Sequence, residues 1–248
     1  MGDRAQFDLD GRGDGPVHAA ISRGTGARSP DIDPRMSPTR FWLVRHAPVD
    51  AAARAILYGT MDVALCAESL REAAPLCRAL AAKLPRPAEW LVSPLTRTRL
   101  TAEAIFAAGY PEVVPVVEPG IIEQSLGAWQ GLAHAELPQR LTGPAHAFWP
   151  LGSTEQPPGG ESVADVIARV GETLERLAGR HPGADVVVVG HGGAIRAAVA
   201  HALGISGDSA LSLAIQNLSL TRLERHPHAW RVLCVNELAV ATPGGDSG

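Results

Sequence analysis

Two histidines in this 248-residue sequence each stand just beyond a short, wholly apolar run. His46 follows Phe41-Trp42-Leu43-Val44 and Arg45; His191 follows Val186-Val187-Val188-Val189 and Gly190. Such runs read as strands buried on both faces of a sheet. The carboxyl ends of strands in open α/β sheets are where ligands bind. Arg45 sits beside the first histidine. Arg97 falls in the first turns of the helix predicted after a second run, Trp90-Leu91-Val92. Glu123 follows a third apolar stretch at 113–117. If these strand exits converge, two histidines, two arginines and one glutamate surround one point.

That set suits phosphoryl transfer. The transferring group keeps negative charge on its equatorial oxygens and needs fixed cationic donors around it. Arg45 and Arg97 can each bind two oxygens in fork geometry. The turn Gly190-His191-Gly192-Gly193 leads into a helix, so the Gly192 end offers free N–H groups and the positive end of a dipole. A neutral imidazole nitrogen is a competent nucleophile toward phosphorus. A carboxylic acid such as Glu123 can protonate the leaving alkoxide.

The elements that must position these groups follow from hydrophobic period and punctuation. Residues 67–84 carry a helical period, with Leu70, Ala73, Ala74, Cys77, Leu80 and Leu84 on one side. Ser93-Pro94 reads as a helix start, with serine as N-cap and proline at the first helical position, and the helix runs to about residue 108. Ser162-Val163-Ala164-Asp165 is a capping-box pattern that opens a helix over 163–180. Another helix is predicted over 194–203. Residues 218–224 and 230–236 read as a hairpin about His226-Pro227-His228. Strands alternating with helices predict an α/β fold, a three-layer α/β/α sandwich around a mostly parallel sheet. Residues 124–160, rich in Pro, Gly and Gln, are expected to form a cap. Residues 1–39, without helical or strand period, are expected to be a disordered extension. The functional domain spans 40–240, and 241–248 forms a flexible tail.

Five segments together resemble the histidine phosphatase superfamily, which includes phosphoglycerate mutase. They are Leu43-Val44-Arg45-His46-Ala47; the stretch from Ser93 to Ala102; Glu123-Gln124-Ser125-Leu126-Gly127-Ala128-Trp129-Gln130-Gly131; Pro158-Gly159-Gly160-Glu161-Ser162; and Gly190-His191-Gly192-Gly193. Their order is that of the family, and the likeness runs from residue 41 to about 237. The resemblance implies a phosphoglycerate mutase-like fold and gives His46 as phosphoacceptor. It implies that Arg45, Arg97 and His191 hold phosphoryl oxygens and that Glu123 is proton donor, then base for water. It places Tyr58 and Gly59 in a substrate-lining turn. The chain departs from the family at Ala47, where glycine is usual, and lacks the polar residue and asparagine often found next in this loop.

The bulk composition narrows the partners. A net charge of −4, from 22 basic and 26 acidic residues, offers no broad attraction for nucleic acid or anionic lipid. The expected ligand is a small phosphorylated metabolite held by local cations, with no metal and no cofactor. No apolar run approaches the ~20 residues of a membrane span. Three cysteines without a C-x-x-C pair point to a reducing cytoplasm. Glu161, Ser162 and Trp129 read as turn, cap and loop anchor; Arg99 reads as surface. His134 and the other histidines read as surface or packing residues, while Arg196 fits either a site position or a helix-packing ion pair. The expected activity is a metal-independent phosphomonoesterase; Arg-His-Ala-Pro-Val followed by Tyr-Gly-x-x-Asp resembles chains assigned to α-ribazole 5′-phosphate dephosphorylation, and that resemblance implies this substrate. A phosphoglycerate-type mutase and an inactive phospho-ligand-binding module are the alternatives. Mutases of the family that the chain resembles carry a longer insertion after the acid segment, so the resemblance, with only a short stretch from Glu123 to Pro158 here, implies hydrolysis over mutase chemistry.

Overall fold

The computed structural model describes residues 37–239. The expected extension at 1–39, apart from its last three residues, and the expected tail at 241–248 lie outside them. Six strands make one sheet: β1 (Thr39–Arg45), β2 (Glu89–Val92), β3 (Val116–Val117), β4 (Asp185–Gly190), β5 (Ser219–His226) and β6 (Ala229–Leu238). Their order is β3-β2-β4-β1-β5-β6. The first four are parallel; β5 and β6 add an antiparallel edge. β4 is central and buried from Val186 to Gly190. Its four valines run without alternation because both of its faces meet helices.

The helices form two outer layers. On one face, α5 (Val163–Arg180) and α6 (Gly192–Leu203) pack on Phe41, Leu43, Val186 and Val188. The α5 contribution is Val166, Val170, Leu174 and Leu177, one stripe of the 3.6-residue period. On the other face, α3 (Ala74–Lys83) and α4 (Thr96–Ala107) cover Val44, Trp90, Val92, Val187 and Val189. Each fully buried aliphatic side chain contributes roughly 1.5–3 kcal/mol. A third small cluster of Leu57, Leu126, Trp129, Leu137 and Leu151 holds the cap, and Trp129 anchors it as expected. No helix of the described residues is long and apolar enough to cross a membrane.

Four local expectations change. The helix expected over 67–84 is two helices, α2 (Ala67–Glu72) and α3, because Pro75 has no N–H to continue the ladder and serves instead in the first turn of α3. β3 is two residues rather than five; Pro115 has no ladder donor, and Val114 is 93 % exposed. Two short helices, α1 (Ala51–Arg54) and α7 (Gly207–Leu211), were without sequence signal at this level. Finally, Ser93 does not cap α4. That helix starts at Thr96, and the side chain of Asp62 satisfies its first turn by accepting from Thr96 N at 2.9 Å and Thr96 Oγ1 at 2.6 Å.

Candidate functional site

Strand register brings the two histidines together. In the parallel ladder of β1 and β4, Arg45 pairs with Gly190, and His46 N donates to Gly190 O at 3.0 Å. One residue further along each strand, the rings of His46 and His191 meet edge-on with centroids 5.2 Å apart. Beyond this point the chain after β1 turns to the α3 face and the chain after β4 enters α6 on the other. The crevice where chains part in this way is the usual ligand site of an open sheet.

His46 is 2 % exposed. Its Nδ1–H donates to Ala47 O at 2.7 Å, which leaves the Nε2 lone pair free. Burial, then the neighbouring Arg97 and Arg45, push its pKa down from 6.5 to about 3. The ring is therefore neutral at any physiological pH. Its loop is held by Ala47 N, which donates to Thr101 Oγ1 at 2.9 Å; Thr101 in turn donates to Arg97 O at 2.7 Å.

The Arg45-His46 dipeptide is clamped from one distant loop. Arg45 Nη1 donates to Ile215 O at 2.5 Å, Asn217 Nδ2 donates to His46 O at 2.7 Å, and Leu218 N donates to Arg45 O at 2.9 Å. Leu218 holds φ at 58°, a left-handed conformation costly for a γ-branched residue and typical of over-determined functional loops. Arg45 Nε is buried without a protein partner. An oxyanion would satisfy it. A Cβ at Gly192 would stand 3.4 Å from that nitrogen and 3.4 Å from Arg196 Nη1, so the missing side chain at 192 leaves this approach open.

Arg97 is fully buried. Its Nη1 donates to Met61 O at 2.7 Å, its Nη2 to Gly59 O at 2.8 Å, and its Nε to His191 Nδ1 at 3.3 Å. The Tyr58 ring lies under the guanidinium at 5.3 Å. Tyr58 and Gly59 thus orient Arg97 as well as lining the cavity. Gly59 has φ +36, and a Cβ there would meet Gln124 O at 2.7 Å. His191 Nε2 is 2.6 Å from Ser93 Oγ.

Glu123 sits at the head of α6. Its Oε2 accepts from Gly193 N at 3.1 Å and its Oε1 from Gln124 N at 2.9 Å. A Cβ on residue 193 would fall 2.2 Å from Oε1, so glycine is what lets the carboxylate reach the helix end. The Glu123 loop is fixed from α5: Arg169 donates to Gly120 O and Ile122 O at 3.0 and 3.1 Å and pairs with Glu161 at 2.7 Å. Glu161 also accepts from Ser125 N at 2.8 Å, in keeping with a turn role.

A cavity of about 260 Å³ meets this cluster at Arg45, Glu123 and Gly192, while His46, Arg97 and His191 are not among its lining residues. Ile56, Leu57, Leu126, Trp149, Pro150 and Leu151 give it an apolar wall, with Tyr58, Gly59 and Gln124, while Arg54 and His134 complete the lining. His134 is exposed, in line with the surface reading, and also borders the cavity. Arg196 has no carboxylate partner among the described residues; it donates to Leu213 O at 2.8 Å and stacks 4.5 Å from the centroid of Trp149, tying the cap to α6. All eight residues singled out from the sequence thus lie together. Asn217 and Arg169 were not foreseen, because each acts through a tertiary contact with no local signature; Arg54, an exposed lining residue, was not foreseen either, and Thr101 entered only as part of the Ser93–Ala102 segment.

The buried neutral histidines make stability depend on pH. Unfolded, His46 takes a proton below its ordinary 6.5; folded, it resists one until about 3. The unfolded state binds more protons in that window, so acid favours unfolding there. The His46 contribution should be complete above pH 6.5 and fall by about 1.4 kcal/mol per pH unit below it. Urea midpoints of the wild type and His46→Ala between pH 7.5 and 4.5 should diverge by this slope. Parallel curves would mean that His46 protonates freely.

The described residues match the family model "Histidine phosphatase superfamily (branch 1)" over 41–238. The chain is 32 % identical over 171 residues to a metal-independent phosphoserine phosphatase of Arabidopsis thaliana, covering 68 % of this chain and 71 % of that one. It is also 32 % identical over 167 residues to a bifunctional protein of Mycobacterium tuberculosis, but spans only 43 % of that protein's length against 67 % of its own. Among solved structures, mycobacterial glucosyl-3-phosphoglycerate phosphatase in complex with VO3 aligns with a TM-score of 0.66 at 28 % identity, covering 80 % of this chain and 99 % of the other.

Proposed function

Because the chain belongs to the histidine phosphatase superfamily, we propose that it is a phosphomonoesterase that hydrolyses a small phosphate ester through phospho-His46. The observation that carries this reading is the state of the His46 ring: Nδ1–H is committed to Ala47 O, Nε2 is free, and two guanidinium groups stand beside it. Nε2 attacks phosphorus, the P–O bond to the alcohol breaks as the N–P bond forms, and Glu123 gives the departing alkoxide its proton. Water, giving a proton back to Glu123, then attacks phosphorus and breaks the N–P bond. Arg45, Arg97, His191 and the N–H groups at the Gly192 end of α6 hold the phosphoryl oxygens.

For the alcohol we infer α-ribazole, as its 5′-phosphate. The motifs Arg45-His46-Ala47-Pro48-Val49 and Tyr58-Gly59-Thr60-Met61-Asp62 support it. The wall of Ile56, Leu57, Leu126, Trp149 and Leu151 suits a heteroaromatic group. Among the lining residues the only carboxylate is Glu123, so the ammonium of a phosphoserine would have no counter-charge apart from the catalytic acid. The three unpaired thiols, Cys66, Cys77 and Cys234, fit a reducing compartment, and we place the enzyme in the cytoplasm.

A panel of α-ribazole 5′-phosphate, phosphoserine, 3-phosphoglycerate and glucosyl-3-phosphoglycerate tests the assignment. The first should have the highest kcat/KM, with one inorganic phosphate released per turnover and no loss in EDTA. Followed by ³¹P NMR, 3-phosphoglycerate should give no 2-isomer. Rapid isomerisation without phosphate release would make this a mutase.

Glu123→Gln should separate substrates by leaving group. A poor leaving group such as an alkoxide needs the proton, whereas p-nitrophenolate departs without it. The variant should lose far more activity on a sugar phosphate than on p-nitrophenyl phosphate. Equal losses would remove Glu123 from the role of acid.

A further inference from the structure

The hydrogen bonds around His191 fix more than its orientation. Arg97 Nε–H points at Nδ1 from 3.3 Å, so Nδ1 carries a lone pair. The ring proton is then on Nε2, which donates to Ser93 Oγ at 2.6 Å. Ser93 also accepts from Leu95 N at 3.2 Å, and its own proton goes to Thr98 Oγ1 at 3.3 Å. Thr98 Oγ1 donates onward to Leu95 O at 2.8 Å or Ser93 O at 3.0 Å. Every donor in this buried chain finds an acceptor in this one arrangement. The reverse tautomer would set the Nδ1–H of His191 against Arg97 Nε–H.

We propose that Ser93 is a positioning residue that holds the proton of His191 on Nε2, so that Nδ1 takes up a proton when a phosphoryl group binds and presents it to a phosphoryl oxygen. This deepens the phosphatase reading of the same site. Without a ligand, Nδ1 accepts from Arg97. With one, Arg97 Nε turns to the anion and Nδ1 becomes a second N–H donor. The balance is simple. An ester arriving as its monoanion breaks the O–H bond of its P–OH group, and the proton forms N–H on Nδ1; an ester arriving as the dianion is accompanied by a proton from a hydronium ion of the solvent, which becomes water. In both cases the product is a phosphoryl dianion against an imidazolium whose other N–H remains on Ser93.

The charged and titratable groups around the ring are Arg97 on α4, Arg45 and His46 at the end of β1, Arg169 on α5 and Glu123 at the head of α6. Burial first, then His46 and the arginines, keep the unliganded ring neutral. The dianion supplies the counter-charge that makes a second proton favourable.

Nitrogen NMR of histidine-labelled protein, with His191 assigned by its loss in His191→Gln, tests this at pH 7.5. The free wild type should show Nε2–H and a bare Nδ1, and saturation with inorganic phosphate should protonate both nitrogens. Ser93→Ala takes away the acceptor of Nε2–H and leaves Arg97 alone to bias the ring, so a minor Nδ1–H population should appear in the free protein. It should also lower kcat about 10- to 100-fold, the scale seen when the partner that orients a functional imidazole is lost, with a smaller change in KM. An Nδ1–H tautomer in the free wild type overturns the proposal. So does a His191 still neutral when the His46 signals show that phosphate has bound. The free-protein measurement stands even if Ser93→Ala fails to fold. Failure of phosphate to perturb His46 would count against the phosphatase reading instead.

Discussion

His46→Ala should lose at least about 10⁴-fold in turnover, the scale on which removal of a nucleophile acts. No other group in the cluster can accept the phosphoryl group from the same position, since His191 Nε2 is committed to Ser93 and its Nδ1 faces Arg97 Nε in the free site and carries a proton in the proposed phosphate-bound one. The fold should persist. The ring makes one hydrogen bond, to Ala47 O, whose loss costs about 1 kcal/mol, and removal of a buried base relieves the acid sensitivity described above. Acid-quenched protein incubated with labelled substrate should carry phosphate in the wild type and none in the variant. Retention of more than about 1 % activity with an intact melting curve would reassign the nucleophile.

The second large effect belongs to Arg97. Arg97→Ala should cut kcat by ~10²–10³, as loss of one preorganised donor to a developing charge does, and by more than it raises KM. Its burial adds a structural component. The carbonyls of Gly59 and Met61 lose their donors, so the turn that lines the cavity should loosen and the melting temperature should fall. Arg97→Lys separates the two. An ammonium restores charge but cannot bridge Gly59 O, Met61 O and His191 at once, so its activity should stay nearer the alanine variant than the wild type. A rise in KM alone would make Arg97 a binding residue without a role in the transition state.

The sheet was legible because burial writes itself into local composition. Four consecutive valines in β4 and the apolar run of β1 read as buried strands, and the structure buries Val186–Val189 together with Phe41, Leu43 and Val44. The reactive cluster was legible for a related reason: strand ends announce themselves, and the types found there suit one chemistry. What escaped were groups whose partners lie far along the chain. Ser93 before Pro94 has the look of a helix cap, yet its hydroxyl serves a ring 98 residues away. Asn217 has no local pattern at all, and only the pairing of β1 with β5 carries it to His46 O. The break between α2 and α3 at Pro75 leaves no mark in the hydrophobic period, because a helical stripe of apolar residues continues across it.

The clamp on Arg45-His46 also orders events during synthesis. Its anchors lie 170 and 171 residues downstream of the groups they hold. A nascent chain released just after α6 would contain every reactive side chain, His191 included. It would still lack β5, so one edge of β1 would have unpaired amides, and Arg45 would have no Ile215 carbonyl to grip. Contacts of such separation close late. Truncations between α6 and the end of β5 should therefore be inert although no reactive residue is missing, and activity gained during translation would time the arrival of the final hairpin rather than that of the histidines.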